Sequence, residues 1–399
     1  MSGPAPVRPC TSTCRRQTPA RPLPFWKPSE LIRELKSRQS VKISAQRSLR
    51  AFHIPGLDGI RALSFLIVFL SHDDLDKIIP GLFGVAVFFF LSGYLITTLM
   101  RIEIDSTDKV SIKDFYVRRA LRIFPSFYLT VLLIVLIVKA GLLGGTFRGA
   151  DLTATAVYLT NYWDIFVHPV KMPGFNVFWS LSVEEHFYLI FPFLMLTMHR
   201  FRMKRSTQAL FLLALCAIAL AWRCILIFGF HVNNPLRTMY ATDTRMDAIL
   251  FGCVLALWGN PILDSKPKYS WALTIGGVFL LLVSLLYRNP VFRETFRYTL
   301  QGVGFIPLFT SAVQFHEHWT FRWLNSWPLR FLGTLSYSLY LVHLPIIYVL
   351  RKCFSNRLLV GVTGLVISIA VAYVFYVAVE RPFARLRKRL GSRTAQVRA

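Results

Sequence analysis

The sequence predicts an all-α, polytopic membrane protein: about ten transmembrane helices, both termini cytoplasmic, and no appended soluble domain. Three observations predict it. Hydrophobic residues make up 54% of the chain. Several uninterrupted apolar runs approach or exceed the ~20 residues that a helix needs to cross a bilayer. Basic residues gather at the two ends and in alternate loops, as the positive-inside rule requires. No stretch of soluble-domain size is left over, since the longest polar segment is the N-terminal fifty residues and the last apolar run ends twenty residues before Ala399.

Taken in order, the apolar stretches lie near 57–73, 82–100, 122–140, 179–198, 207–229, 245–258, 270–287, 299–315, 331–350 and 358–379. Ten crossings from a cytoplasmic N-terminus place four basic segments inside: the loop from Lys109 to Arg122, HRFRMKR at 199–205, the loop with Lys266 and Lys268, and the C-terminal RLRKR. Counting the weaker stretch 151–166 as a crossing would put HRFRMKR outside, so that stretch is read as re-entrant or interfacial. Arg288, Arg293, Arg297, Arg351 and Lys352 fall on the external side, against the rule. No internal repeat is visible, which weighs against a transporter built on inverted repeats.

Net charge is +26, and its placement decides what it means. Residues 1–50 hold eleven Lys and Arg against two Glu, and residues 380–399 hold seven against one. Clusters that flank crossings fit cytoplasmic retention and contact with anionic membrane lipids. Nucleic acid is not an expected partner, because no recognition motif accompanies the charge. The reading is therefore a basic, partly disordered cytoplasmic tail (1–52), a membrane domain (53–382) and a basic cytoplasmic tail (383–399), multi-pass in the inner cell membrane. Within the first tail, SELIRELKSR (29–38) carries a Ser cap and a mixed-charge pattern predicting a short helix at the membrane surface. Six cysteines show neither zinc-ligand spacing nor a disulfide framework, so no metal is predicted.

The informative residues are charged or polar groups set in hydrocarbon, where ionisable side chains face a protein interior or an aqueous cavity. Arg61 and His72 are eleven residues apart, three helical turns plus about 20°, so they share a face with a rise of roughly 16 Å between them. An imidazole followed by Asp73 and Asp74 is placed to be oriented as a general base. A guanidinium cannot be a base and must bind an anion or a carboxylate. Arg119 and Arg122, at i and i+3, suit phosphate clamping or simply obey the positive-inside rule; Arg118 beside them is assigned to the rule. Glu184 and Glu185 sit in an apolar aromatic run, where at least one must turn inward and find a partner such as Arg61; catalysis and a structural ion pair are both open. Asp243, Arg245 and Asp247 read either as a charged helix cap or as a hydrogen-bonding site for a polyhydroxylated acceptor. Ser336, Tyr340 and His343, at i, i+4 and i+7, form a polar stripe. Glu380 with Arg381 ends the last span.

Five features in chain order resemble one family. They are LDGIRA with the Arg61 and His72 spacing, FFFLSGYLI (88–96), the pair Arg119 and Arg122 of RALR, FWSLSVEEHFYL (178–189), and SYSLYLVHLP (336–345) followed by Glu380-Arg-Pro. Together they are similar to membrane-bound acyltransferase family 3, the O-acyltransferases related to O-antigen and exopolysaccharide acetylases. The resemblance covers Leu57 to Pro382. It implies transfer of an acyl group, commonly acetyl, from acyl-CoA as co-substrate to a carbohydrate hydroxyl. It makes Arg61 and His72 the essential pair and Arg119 and Arg122 a second arginine motif; the residue reading adds Asp73 and Glu185 to catalysis and gives Arg119 and Arg122 the donor's phosphates. Glu184, Asp243, Arg245, Asp247, Tyr340, His343 and Glu380 are left to acceptor binding or structure. The family usually has Gln where this chain has His186. Some members append a soluble esterase-fold domain, and this chain is expected to finish transfer without one. Two other classes remain: a glycan or lipid flippase with Arg61 and His72 along its path, and an assembly subunit whose polar residues are only structural.

Overall fold

The computed structural model describes Gly3 and residues 54, 56–75, 79–170, 172–264 and 271–397. The expected N-terminal tail with its surface helix, and Lys266 and Lys268, lie outside these residues. Residues 51–399 form one compact unit. Among the described residues there is no strand.

The first half of the unit holds six helices. They are α1 (Leu57–Leu70), which runs on into a π turn (Ser71–Leu75), then α2 (Gly81–Thr107), α3 (Ile112–Lys139), α4 (Gly149–Ala156), α5 (Thr160–Phe166) and α6 (Phe178–Arg200). The next six are α7 (Arg205–Cys224), α8 (Pro235–Tyr240), α9 (Thr242–Leu257), α10 (Trp271–Leu286), α11 (Pro290–Glu294) and α12 (Arg297–Gln314). The last four are α13 (Trp319–Arg322), α14 (Trp327–Cys353), α15 (Arg357–Phe375), which ends in a π turn (Tyr376–Glu380), and α16 (Arg381–Val397).

All ten apolar stretches fall on helices, but among the described residues length and composition establish five as able to cross a membrane: α2, α3, α7 with its continuation to Gly229, α14, and the run Arg357–Arg387. Helix α10 is apolar but shorter. Helices α1 and α9 are shorter too, and α6 and α12 carry more polar side chains. The stretch 151–166 is not one helix. It is broken where Tyr158 takes a left-handed φ of 58°, and pieces of eight and seven residues reach only about 10–12 Å, far short of a bilayer.

Helices α2 and α14 are the inner elements, with 67% of their apolar windows buried against 28% for α3, α7 and the last span. Glycines set how closely they approach. A Cβ on Gly93 of α2 would stand 2.0 Å from the Ile249 carbonyl of α9, and one on Gly252 of α9 would stand 2.0 Å from the Phe90 carbonyl. On the other side, a Cβ on Gly333 of α14 would lie 1.9 Å from the Asp58 carbonyl of α1. No side chain fits in either seam, so backbone meets backbone, as small residues permit between membrane helices. Phe65, Phe69, Phe89, Phe90, Phe127 and Phe178 fill the space between. Leu132 and Leu136 on α3, Ile275 and Phe279 on α10, and Val366 and Val374 on α15 point outward. That apolar exterior is what lipid contact demands.

Candidate active site

The close seam between α1 and α14 brings two imidazoles together. His72, at the π turn that ends α1, has its Nδ1 3.0 Å from Nε2 of His343 on α14. His343 is fully buried, and its Nδ1 faces the Tyr340 and Leu339 carbonyls at 2.8 and 3.1 Å. Carbonyls only accept, so the His343 Nδ1 carries the proton. With no carboxylate in contact, a charged ring there would be costly, so His343 is neutral and its Nε2 is a bare acceptor. The shared hydrogen then belongs to His72 Nδ1. In its neutral form His72 then keeps the lone pair on Nε2, which is the state a general base needs.

The π turn that carries His72 is held by two arginines. Arg351 Nη2 donates to the His72 carbonyl at 2.8 Å and Arg357 Nε to the Asp73 carbonyl at 2.9 Å. Helix-terminal carbonyls lack partners within the helix and carry its negative end, so guanidiniums suit them. The Asp73 carboxylate lies against Gly361 of α15, where an added Cβ would meet Oδ2 at 2.3 Å.

Arg61 sits a helix length away, in a second cluster. It is within electrostatic reach of Asp58, Glu184, Glu380 and Arg122. Glu184 accepts from Ser92 Oγ at 2.9 Å and from the Tyr188 hydroxyl at 3.1 Å. Arg119 lies 4.9 Å over the Tyr188 ring, within reach of Glu184 and Glu185. Glu380, from the π turn after α15, accepts from Ser338 Oγ and faces Arg122 and Arg61. Arg61, Arg119, Glu184, Glu185 and Glu380 are each half-buried. Arg118, by contrast, is exposed and pairs with Glu103 at 3.2 Å.

The residues of α9 separate. Asp247 is fully buried against Arg223 of α7 at 2.7 Å and accepts from Thr299 of α12 at 3.0 Å. Arg245, equally buried, stacks 3.7 Å from the Tyr298 ring centre. Both fasten α9 to its neighbours. Asp243 alone reaches solvent, held by Arg237, by Trp222 Nε1 at 2.6 Å and by the Tyr162 hydroxyl at 3.3 Å. The Tyr340 hydroxyl meets Ser180 Oγ at 2.6 Å and the Val177 carbonyl at 3.2 Å, tying α14 to the start of α6. His186 meets Thr242 Oγ1 at 2.7 Å, on the far side of α6 from the Glu184 contacts.

Sequence reasoning placed His343 in a polar stripe and left it to acceptor binding or structure, and it gave Arg351 and Arg357 no part in a site. For Arg351 a signal existed: the ten-crossing reading puts it on the external side, against the positive-inside rule, and a charge placed there needs a local reason.

The family profile described as an acyltransferase domain, family 3, matches residues 54–377. The chain belongs to acyltransferase family 3. Among curated proteins it is similar to the O-acetyltransferase OatA of Staphylococcus aureus, 30% identical over 355 residues, covering 84% of this chain and 57% of the relative. The peptidoglycan O-acetyltransferase OatA of Listeria monocytogenes is 30% identical over 319 residues, covering 74% of this chain and 49% of its own. YrhL of Bacillus subtilis, assigned provisionally to the same reaction, is 36% identical over 321 residues with the same coverage. The chain thus spans about half the length of the curated relatives it matches. No solved structure matches it. The match to family 3 takes in both histidines, Arg61, Arg119, Arg122 and the two glutamates, and stops just short of Glu380.

Proposed function

We propose that this family 3 acyltransferase moves an acetyl group from cytosolic acyl-CoA to a carbohydrate hydroxyl, with His72 as the base. The relatives' names make a cell-wall glycan the preferred acceptor. The observation that carries the reading is the contact between His72 Nδ1 and His343 Nε2, because it leaves a lone pair on His72 Nε2.

Donor and acceptor meet between the two clusters. With the N-terminus cytoplasmic in an inner membrane, Arg119 and Arg122 face the cytosol and hold the CoA phosphates as bidentate forks. The uncharged pantetheine arm threads inward past Arg61, whose guanidinium is kept in place by Glu184 and Glu380. Glu185 and Asp243 are left to line the acceptor's approach. His72 Nε2 takes the hydroxyl proton as the oxygen attacks the thioester carbonyl; the tetrahedral adduct collapses, the C–S bond breaks, and the sulfur leaves with the proton from His72. His343 accepts from His72 Nδ1–H throughout and so keeps the ring from turning.

Purified protein in liposomes, supplied with labelled acetyl-CoA and glycan fragments, tests this. Wild type labels the glycan, and His72→Ala loses about 100- to 10,000-fold, the usual worth of a general base, while still binding CoA. Arg122→Ala raises the half-saturating acetyl-CoA concentration instead. A His72→Ala enzyme that labels at the wild-type rate contradicts the mechanism.

A further inference from the structure

Helix α16 leaves the last span through the π turn that presents Glu380 and packs against α3. Arg387 stands seven residues after Glu380, two helical turns on and so on nearly the same face. It is half-buried, and the charges it meets are Arg122 and Arg118 of α3. Among the described residues no carboxylate faces it. Glu103 holds Arg118 at 3.2 Å, and Glu380 and Glu184 face Arg122. Like charges brought together as a helix docks repel one another, and removing them partly from water adds to the cost. An arrangement of this kind is stable when a multiply charged anion completes it, and planar guanidinium forks match phosphate oxygens two at a time.

We propose that Arg387, with Arg122 and Arg118, forms a phosphate site that takes the adenosine bisphosphate end of the donor. This rests on the acyl-CoA reading and adds to it a residue on α16, beyond the segment that matches the family. The same chemistry is offered by phosphate on an anionic lipid headgroup. The site runs inward from Arg122 to the half-buried Arg61 and Glu184, away from the apolar exterior, which favours the soluble nucleotide.

Calorimetric titration of the full chain with adenosine bisphosphate, in discs of phosphatidylcholine with and without phosphatidylglycerol, tests the proposal. Wild type binds saturably in both lipids. Arg387→Ala weakens binding about tenfold or more, the scale of a lost charged hydrogen bond, and Arg387→Lys recovers part of it. Equal binding by wild type and Arg387→Ala overturns the role of Arg387 and leaves the donor reading standing. No binding by wild type overturns both. Binding abolished by phosphatidylglycerol assigns the site to lipid and overturns the nucleotide. Because Arg387→Lys keeps the charge, a collapse of both variants in thermal melting marks a structural arginine and likewise overturns the proposal.

Discussion

His343 is the residue whose substitutions best separate orientation from chemistry. It touches no part of an acceptor in this account; it acts through His72, by the 3.0 Å contact. His343→Ala removes the acceptor for His72 Nδ1–H and frees the ring, so acetyl transfer falls about 10- to 100-fold, the scale of one desolvated hydrogen bond at about 1.4 kcal/mol per factor of ten. His343→Gln keeps an acceptor oxygen on a side chain of similar reach and holds more activity. Both leave the half-saturating acetyl-CoA concentration unchanged, which is the reading that separates positioning from donor binding. Part of this was legible in the sequence. The spacing of Arg61 and His72 placed both on one helix, and Ser336, Tyr340 and His343 read as a polar stripe on one side of another. The partnership itself was not legible, since 271 residues separate the rings and an Asp stood next to His72 in the chain. The widening of α1 into a π turn at Ser71 also moves His72 off the α-helical register that the spacing argument assumes.

At the scale of elements, the site depends on how closely helices approach. The seam between α2 and α9 closes on Gly93 and Gly252, and Gly252→Leu drives a side chain into the Phe90 carbonyl. Overpacking of this kind costs typically about 1–3 kcal/mol, and here the blocked group is backbone, so thermal melting in detergent falls and folded yield drops. The cytoplasm-facing end expected of α2 is fastened by Arg101, which donates to both carboxylate oxygens of Asp264, while the Asn260 N–H donates to the same group at 2.9 Å. Partial burial raises the Asp264 pKa, but Arg101 and these hydrogen bonds outweigh it and hold the carboxyl below 3.8. A depressed acid stabilises the fold above its unfolded value and loses that contribution as the pH falls through the folded one. Asp264→Asn therefore lowers the melting temperature at neutral pH, and the difference from wild type closes only below 3.8. The apolar runs announced all these helices, because membrane crossing dictates a long hydrophobic stretch. They did not announce the break inside 151–166, which comes from a left-handed Tyr158 rather than from any Gly or Pro.

For the whole molecule, an apolar exterior around buried charge is the organising feature. Arg223 and Asp247 are both fully buried and paired at 2.7 Å. Removing one partner of such a pair costs about 3–5 kcal/mol, because the other charge is left alone, whereas replacing both with apolar residues of like volume is often neutral. Asp247→Ala is expected to fold poorly, and Arg223→Met with Asp247→Leu to recover most of the yield and melting temperature, as size-exclusion profiles and thermal melts will show. The sequence marked Asp247 as remarkable among its apolar neighbours but could not choose between acceptor binding and structure, for its partner lies on another helix. Charge in this molecule thus divides by burial: sealed pairs fasten helices, and half-buried groups gather around Arg61.

The pairing of two imidazoles into one base is tested most directly by a cycle of variants. Acetyl transfer is measured for wild type, His72→Ala, His343→Ala and the double variant. If His343 acts only through His72, the double variant is no slower than His72→Ala alone. Losses that multiply, or a His343→Ala enzyme at the wild-type rate, would contradict the account.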